Sequence, residues 1–212
     1  MFIRKLATLA AIAALGLLVL GAASASAHTV LRTDPGNSPL SGATQFTNTT
    51  SDHWTLSTLA GNITCSQASV TFDTTTHTGN PVINGTLTNL TFQNCTDTLI
   101  AVNIISCHLH ASTIPTVSII AIAGGAQVTF GHLILRCATN AAQACYYTSA
   151  TSVGIYNNAT ASLHFSNIAA NAVSPTTDAV APANCGTNGN WSVTFTHIVQ
   201  STTNRTLTVA TS

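Results

Sequence analysis

The chain has 212 residues, of which only 5% are charged, and five Lys and Arg balance five acidic residues. An ordinary soluble domain carries charge on about a quarter of its residues, and a nucleic-acid partner needs a basic footprint. This composition therefore excludes nucleic acid as a partner and offers a polyacid or polybase nothing to hold.

Arg4 and Lys5 precede an almost unbroken apolar run from Leu6 to Leu20, and Ala25-Ser26-Ala27 supplies a small-residue cleavage site. Residues 1–27 read as a signal peptide, and residues 28–212 as a single secreted β domain long enough for its own core. An uncleaved anchor is the competing reading, because the apolar run is nearly long enough to span a bilayer. The expected location is secreted, extracellular or at the cell surface, with no membrane span once the signal is removed. The part beyond residue 27 has no Lys and no Glu: its charges are Arg32, Arg136 and Arg205 against Asp34, Asp52, Asp73, Asp97 and Asp178.

Cleavage after Ala27 would leave His28 as the first residue. A free N-terminal histidine offers its α-amine and one imidazole nitrogen to the same copper ion, and with a second histidine forms a T-shaped brace. HTVLRTDPGNSPLSGAT resembles the start of periplasmic copper carriers, and the brace also points to copper-dependent polysaccharide monooxygenases. No motif selects the second histidine from the seven others.

Thr, Ser and Asn hold the polar positions and Ala, Val, Ile and Leu the apolar ones, which is strand chemistry. Strands are expected at His53–Leu59, NITC, ASVTF, Gly85–Phe92, Thr116–Ala123, QVTF, His132–Cys137, ASLHF, Trp191–Val199 and RTLTVA. Several alternate apolar and polar, so one face is buried and the other wet. TSDH, TTTHTGNP, Gly124–Gly125 and NCGTNGN mark turns. Helix is scarce: Thr139–Ala144 and Asn167–Val173 each suit a turn or two, and Ser174–Asn184, with two prolines, reads as a loop. The fold class is all-β: an antiparallel β-sandwich or partly closed barrel, disulfide-stapled, with little helix.

Six cysteines in an exported chain argue for three disulfides. Cys65 to Cys95 and Cys107 to Cys137 are equally separated, leaving Cys145 and Cys185, and sequential pairing is the expectation. In CHLH, His108 and His110 point to one face of a strand. The antiparallel ladder that sets Cys107 opposite Cys137 puts His108, His110 and His132 on one face, and Leu109, Leu133, Leu135 and both cysteines on the other. His110 and His132 would then be diagonal neighbours roughly 7–8 Å apart. The metal-ligand candidates are thus His28, His108, His110 and His132, for copper or zinc, against the plainer reading of wet polar strand residues.

No catalytic set stands out. There is no G-x-S-x-G elbow, paired cysteines leave no thiolate, and Asp52 and Asp73, the carboxylates nearest strand ends, read as turn residues. Trp191 shares a face with Val193, Phe195 and His197 and reads as core. Trp54 reads as core or as a sugar-stacking platform. Tyr146 and Tyr147 point oppositely, so one of them should be exposed. Asn-x-Ser/Thr sequons fall at Asn48, Asn62, Asn84, Asn89, Asn94, Asn158, Asn190 and Asn204.

The run LRT…SPLSGA, then GNITC, LTFQNC and NCGTNGNWSVTFTHI, resembles small, uncharacterised secreted proteins of actinobacteria. More distantly the chain is similar to exported β-rich proteins described as activators of alkane oxidation. That resemblance implies a surface or extracellular β-module and supplies no catalytic residues. The expected function is a non-catalytic secreted or cell-surface module for binding, adhesion or extracellular structure, with an unknown envelope or extracellular ligand. The rival is a copper protein, a carrier or oxidoreductase, that uses His28. Low charge on many strands also leaves edges poorly guarded, so self-association is expected.

Overall fold

The computed structural model describes residues 28–33, 38–40, 43–48, 52–99, 102–139, 143–174 and 178–212, so the signal peptide read over 1–27 lies outside the described residues. In chain order the elements are β1 (Thr29–Thr33), β2 (Ser38–Pro39), β3 (Thr44–Asn48), β4 (Trp54–Thr58), β5 (Gly61–Thr74), β6 (Thr78–Gly79), β7 (Val82–Asp97) and β8 (Ile104–Leu109). There follow β9 (Thr116–Ile122), β10 (Gly125–Thr139), β11 (Ala144–Asn157), β12 (Ser162–Val173), the short helix α1 (Pro182–Cys185), β13 (Asn188–Phe195), β14 (Ile198–Gln200) and β15 (Arg205–Thr211).

Eight of these strands form a closed antiparallel barrel. β4, β5, β7, β8, β10, β11, β12 and β13 each pair with the next, and β13 closes on β4 through Trp191↔Leu56 and Val193↔Trp54. The long strands outreach this ring. At their far end β3 pairs with β5, β14 joins β3 to β15, and β15 pairs with β1. Tyr156 Oη donates to the Leu207 carbonyl at 2.5 Å, and the Asn158 side chain brackets Val209 with two bonds of 2.7 and 2.9 Å, tying this outer sheet to the barrel.

The barrel interior is filled by side chains. Trp54 stacks on Phe92 with ring centroids 4.4 Å apart, and Phe165 meets Phe130 at 4.8 Å, Trp191 at 5.4 Å and Phe195 at 6.4 Å. Both tryptophans are buried, so Trp54 is core and not a platform for sugar. Outward positions carry mainly Thr, Ser, Asn and Gln, as in the run Thr55, Thr64 and Thr96 across β4, β5 and β7, with Ile105, Ile122, Val153 and Ile155 as exposed apolar exceptions. A transmembrane barrel has the opposite arrangement, apolar outside. Among the described residues no helix is long and apolar enough to cross a membrane.

The three disulfides are sequential: Cys65–Cys95, Cys107–Cys137 and Cys145–Cys185. The first two join residues directly opposite on neighbouring strands, and the third ties β11 to α1. The Cys65, Cys95 and Cys107 sulfurs lie within 4.8 Å of one another, so two disulfides pack together inside the barrel. Bonded sulfur of this kind is packing, not a metal site.

The long strands do not keep one phase. In β5 the buried positions are Ile63 and Cys65, then Ala68, Val70 and Phe72, with Ser66 and Gln67 both exposed between them. Opposite, Gln93 and Asn94 of β7 are exposed together, and β12 slips in the same way at Ser166 and Asn167. Asn94, His132 and Asn167 take positive φ at these slips, a conformation for which Asn and His are enriched. The β12 slip is a bulge, with a register shift against β13 between Phe165 and Ile168, whereas β5 and β7 change phase together at Ser66–Gln67 and Gln93–Asn94 with their register kept.

Four local expectations change. Asn167–Val173 is strand, not helix, because Ile168 and Ala170 alternate inward with exposed Ala169 and Asn171. Pro182–Cys185, which overlaps the end of the segment Ser174–Asn184 read as loop, makes one helical turn. The strand begun at Trp191 stops at Phe195. Asp52 accepts bonds from the Thr196 amide at 2.7 Å and its hydroxyl at 2.9 Å, and His197 turns outward with φ 54°, away from the face it was expected to share. Tyr146 and Tyr147 are both buried: the Tyr147 hydroxyl donates to the Cys185 carbonyl at 2.8 Å, and Tyr146 is covered by a polar cluster on the outer wall.

Candidate functional site

The barrel wall has a defect between β7 and β10. β8 and β9 run in the same direction and occupy the same place between those neighbours, as one strand broken in the middle. From Thr86 to Thr91 β7 advances five residues, while its partners run eight, from Thr116 back to His108. Three residues therefore have no place in the ladder, and they leave the wall as a turn closed by Thr113, whose amide (3.1 Å) and hydroxyl (2.9 Å) both donate to the His110 carbonyl. Pro115, which has no N–H, ends the excursion and receives the Leu87 amide at 2.9 Å.

The break opens a recess of about 450 Å³. Leu87, Thr88 and Asn89 of β7 form one side, His108 and His110 the other, and Ile114, 78% exposed, stands on the rim. The expected ladder is present here: Cys107 faces Cys137, His108 faces Arg136, Leu109 faces Leu135, and the His110 amide still reaches the Ile134 carbonyl at 2.8 Å. His108 and His110 are both half-buried and both line the recess. His132, on β10 at the other flank of the break, is exposed and is not among the lining residues. Among the described residues the one set of three metal-ligand side chains with donor atoms within 4.8 Å of one another is the cysteine set, so His132 is not drawn in with His108 and His110 to that distance.

Beside the recess lies a polar cluster that sequence reading missed. Arg136 Nη2 meets Asp178 Oδ2 at 2.5 Å, Arg136 Nε donates to Tyr146 Oη at 3.0 Å, and Tyr146 Oη donates to Asp178 Oδ1 at 2.7 Å. The His110 ring packs edge-on to Tyr146 at 5.5 Å. Arg136 is held in its charged form, chiefly by Asp178. Burial, then Arg136, then His110 push the His108 pKa below its usual value, which favours a neutral imidazole. The only advance signal was the rarity of charge: one of the three arginines beyond residue 27 sits opposite a CHLH histidine.

Chemically the recess offers two imidazoles and the polar side chains of Thr88 and Asn89. Ser112 Oγ lies 2.6 Å from His110 Nδ1, but the nearby Asp178 carboxylate is engaged by Arg136 and Tyr146, so the geometry does not build a Ser–His–Asp relay. His28 is exposed at the head of β1, with its main chain paired to Ser212 through bonds of 3.4 and 3.0 Å. Asn48, one of the sequons, is buried and spends its side chain on the Ala68 carbonyl and the Val70 amide, at 2.9 and 2.7 Å.

His77 is the buried histidine, with Nε2 2.9 Å from Thr44 Oγ1, and burial lowers its pKa from 6.5. With folded pKa values of His77 and His108 below the unfolded one, the unfolded chain takes up protons first. Their contribution to stability is complete above the unfolded pKa and is lost as pH falls through it toward the folded values. The urea midpoint should therefore drop between about pH 7.5 and about pH 5, and His77→Gln should reduce that drop. An unchanged midpoint across this range would contradict the burial argument.

Comparison with protein-family models, with curated proteins and with solved structures finds no match to this chain. The fold and site define a class, a disulfide-stapled antiparallel β-barrel with a recess in its wall, and the functional reading rests on these residues alone.

Proposed function

We propose that the protein is an exported, non-catalytic β-barrel module that works through its outer surface, holding an extracellular or cell-envelope ligand with the recess in the β8–β9 break at the contact. The observation that carries this reading is the filled interior. With Trp54, Phe92, Phe130, Phe165 and Trp191 all buried inside, the barrel serves as a scaffold and not as a container. Three disulfides in a chain with a signal-like N-terminus support export. Self-association stays within this reading: each strand of the ring has a partner on both sides, which leaves the barrel faces and the outer strands for such contacts.

A surface with so few charges makes its contacts through hydroxyl, amide and apolar groups, which salt does not screen. The mature protein should therefore co-sediment with the envelope fraction of its producing cells and stay bound at high salt. Release by salt, or no retention at any ionic strength, would overturn the reading.

A further inference from the structure

We propose that the β8–β9 recess is a site for one divalent late-transition-metal ion, copper(II) or zinc(II), with His108 and His110 as its protein ligands. The inference rests on the reading above only in taking the recess as the working part of the surface.

Three observations carry it. His108 on β8 and His110, one residue past its end and still bonded to β10 through its amide, stand two apart in the chain, and both line the one recess. Their backbones are fixed on the wall: His108 is paired with Thr91 on one side and Arg136 on the other, and the His110 amide is bonded to Ile134. The His110 ring is oriented by Ser112 Oγ, 2.6 Å from Nδ1. The Ser112 amide also donates to Nδ1 at 3.4 Å, so Ser112 holds the ring by that nitrogen; a metal ion taken at Nε2 would put the proton on Nδ1, donating to Ser112 Oγ, the arrangement in which an outer partner sets the tautomer of a metal-bound histidine.

The rest of the recess suits the same ion. Two imidazoles are borderline nitrogen donors that favour copper and zinc over magnesium or calcium. Thr88 and Asn89 also line the recess but are bonded to β5, Thr88 Oγ1 to the Thr71 carbonyl and Asn89 Nδ2 to Ser69 Oγ, both at 3.2 Å, so water would complete the coordination of the ion. Arg136, the nearest fixed cation, is neutralised by Asp178 at 2.5 Å. A site with two histidines from the protein should be moderate in affinity, and copper(II) should bind more tightly than zinc(II).

The test is calorimetric titration of the disulfide-intact mature protein with copper(II) chloride, then zinc(II) chloride. The expected result is one equivalent bound, with affinity falling at least tenfold in His108→Gln and in His110→Gln. His132→Gln, and a protein with one residue added before His28, should bind as the parent does. Circular dichroism and the thiol count of each variant show that the barrel is intact. Binding that survives the His108→Gln/His110→Gln double variant, binding lost on extension before His28, or no binding at all would overturn the proposal. Repeating the envelope sedimentation with a chelator separates the two ideas: retention that persists without metal leaves the surface reading standing whatever the titration shows.

Discussion

Phe165→Ala is expected to lower the unfolding free energy by about 3–5 kcal/mol. Phe165 is fully buried on β12 and touches Phe130 across the barrel, Trp191 on the adjacent strand and Phe195 beside it. Truncation removes the transfer energy of the ring and leaves a void that its rigid aromatic neighbours cannot close. Collapse is further limited because β12 and β13 form part of a closed ring, where a shift in one strand must pass through every ladder. Urea denaturation at neutral pH measures the effect. A loss below about 1 kcal/mol would mean that the aromatic cluster is not the packed interior described here.

The second large effect is expected from the disulfides. Loops closed over separations of 30, 30 and 40 residues each restrict the unfolded chain by roughly 3.5–4 kcal/mol in the chain-entropy estimate. The three loops do not overlap along the chain, so their effects should be close to additive. A domain's whole stability is about 5–15 kcal/mol, and full reduction should therefore unfold the protein or leave it marginal. The Cys107→Ala/Cys137→Ala variant should fold but lose roughly 3.5 kcal/mol, with its other four cysteines still paired. Unchanged stability after reduction would show that the barrel core holds the fold alone.

Much of this architecture was legible in the sequence, and the reason is chemical. The β-branched and hydroxylic composition, the even cysteine count and the short alternating runs all point to stapled antiparallel strands, and the sequential pairing follows once Cys65 and Cys107 sit opposite their partners. Strand length was not legible. NITC and ASVTF are two halves of β5, and QVTF and HLILRC are two halves of β10. At Ser66–Gln67 and Gly131–His132 the alternation slips phase, so a reader of period two sees an end where the chain only bends. The positive φ at Asn94, His132 and Asn167 belongs to the closure of the ring, which no local window contains.

The site was legible in part. The CHLH spacing located His108 and His110, and the ladder through Cys107 and Cys137 is the one observed. The strand break beyond His110 was not anticipated, because its evidence is a mismatch of three residues between β7 and its two collinear partners. Nor was Asp178, which reaches Arg136 from a segment pinned to Ala144 by main-chain bonds of 2.9 and 2.7 Å.

Whether the recess is the contact surface is tested most directly by retention on the envelope fraction when the mature protein is compared with Ile114→Asp. Ile114 is 78% exposed on the rim, so the substitution should leave the core untouched while placing a charge at the mouth of the site. Salt-resistant retention of the parent protein and loss of retention in the folded variant are expected. Equal retention of the two would place the contact elsewhere on the barrel and contradict the recess as the contact surface.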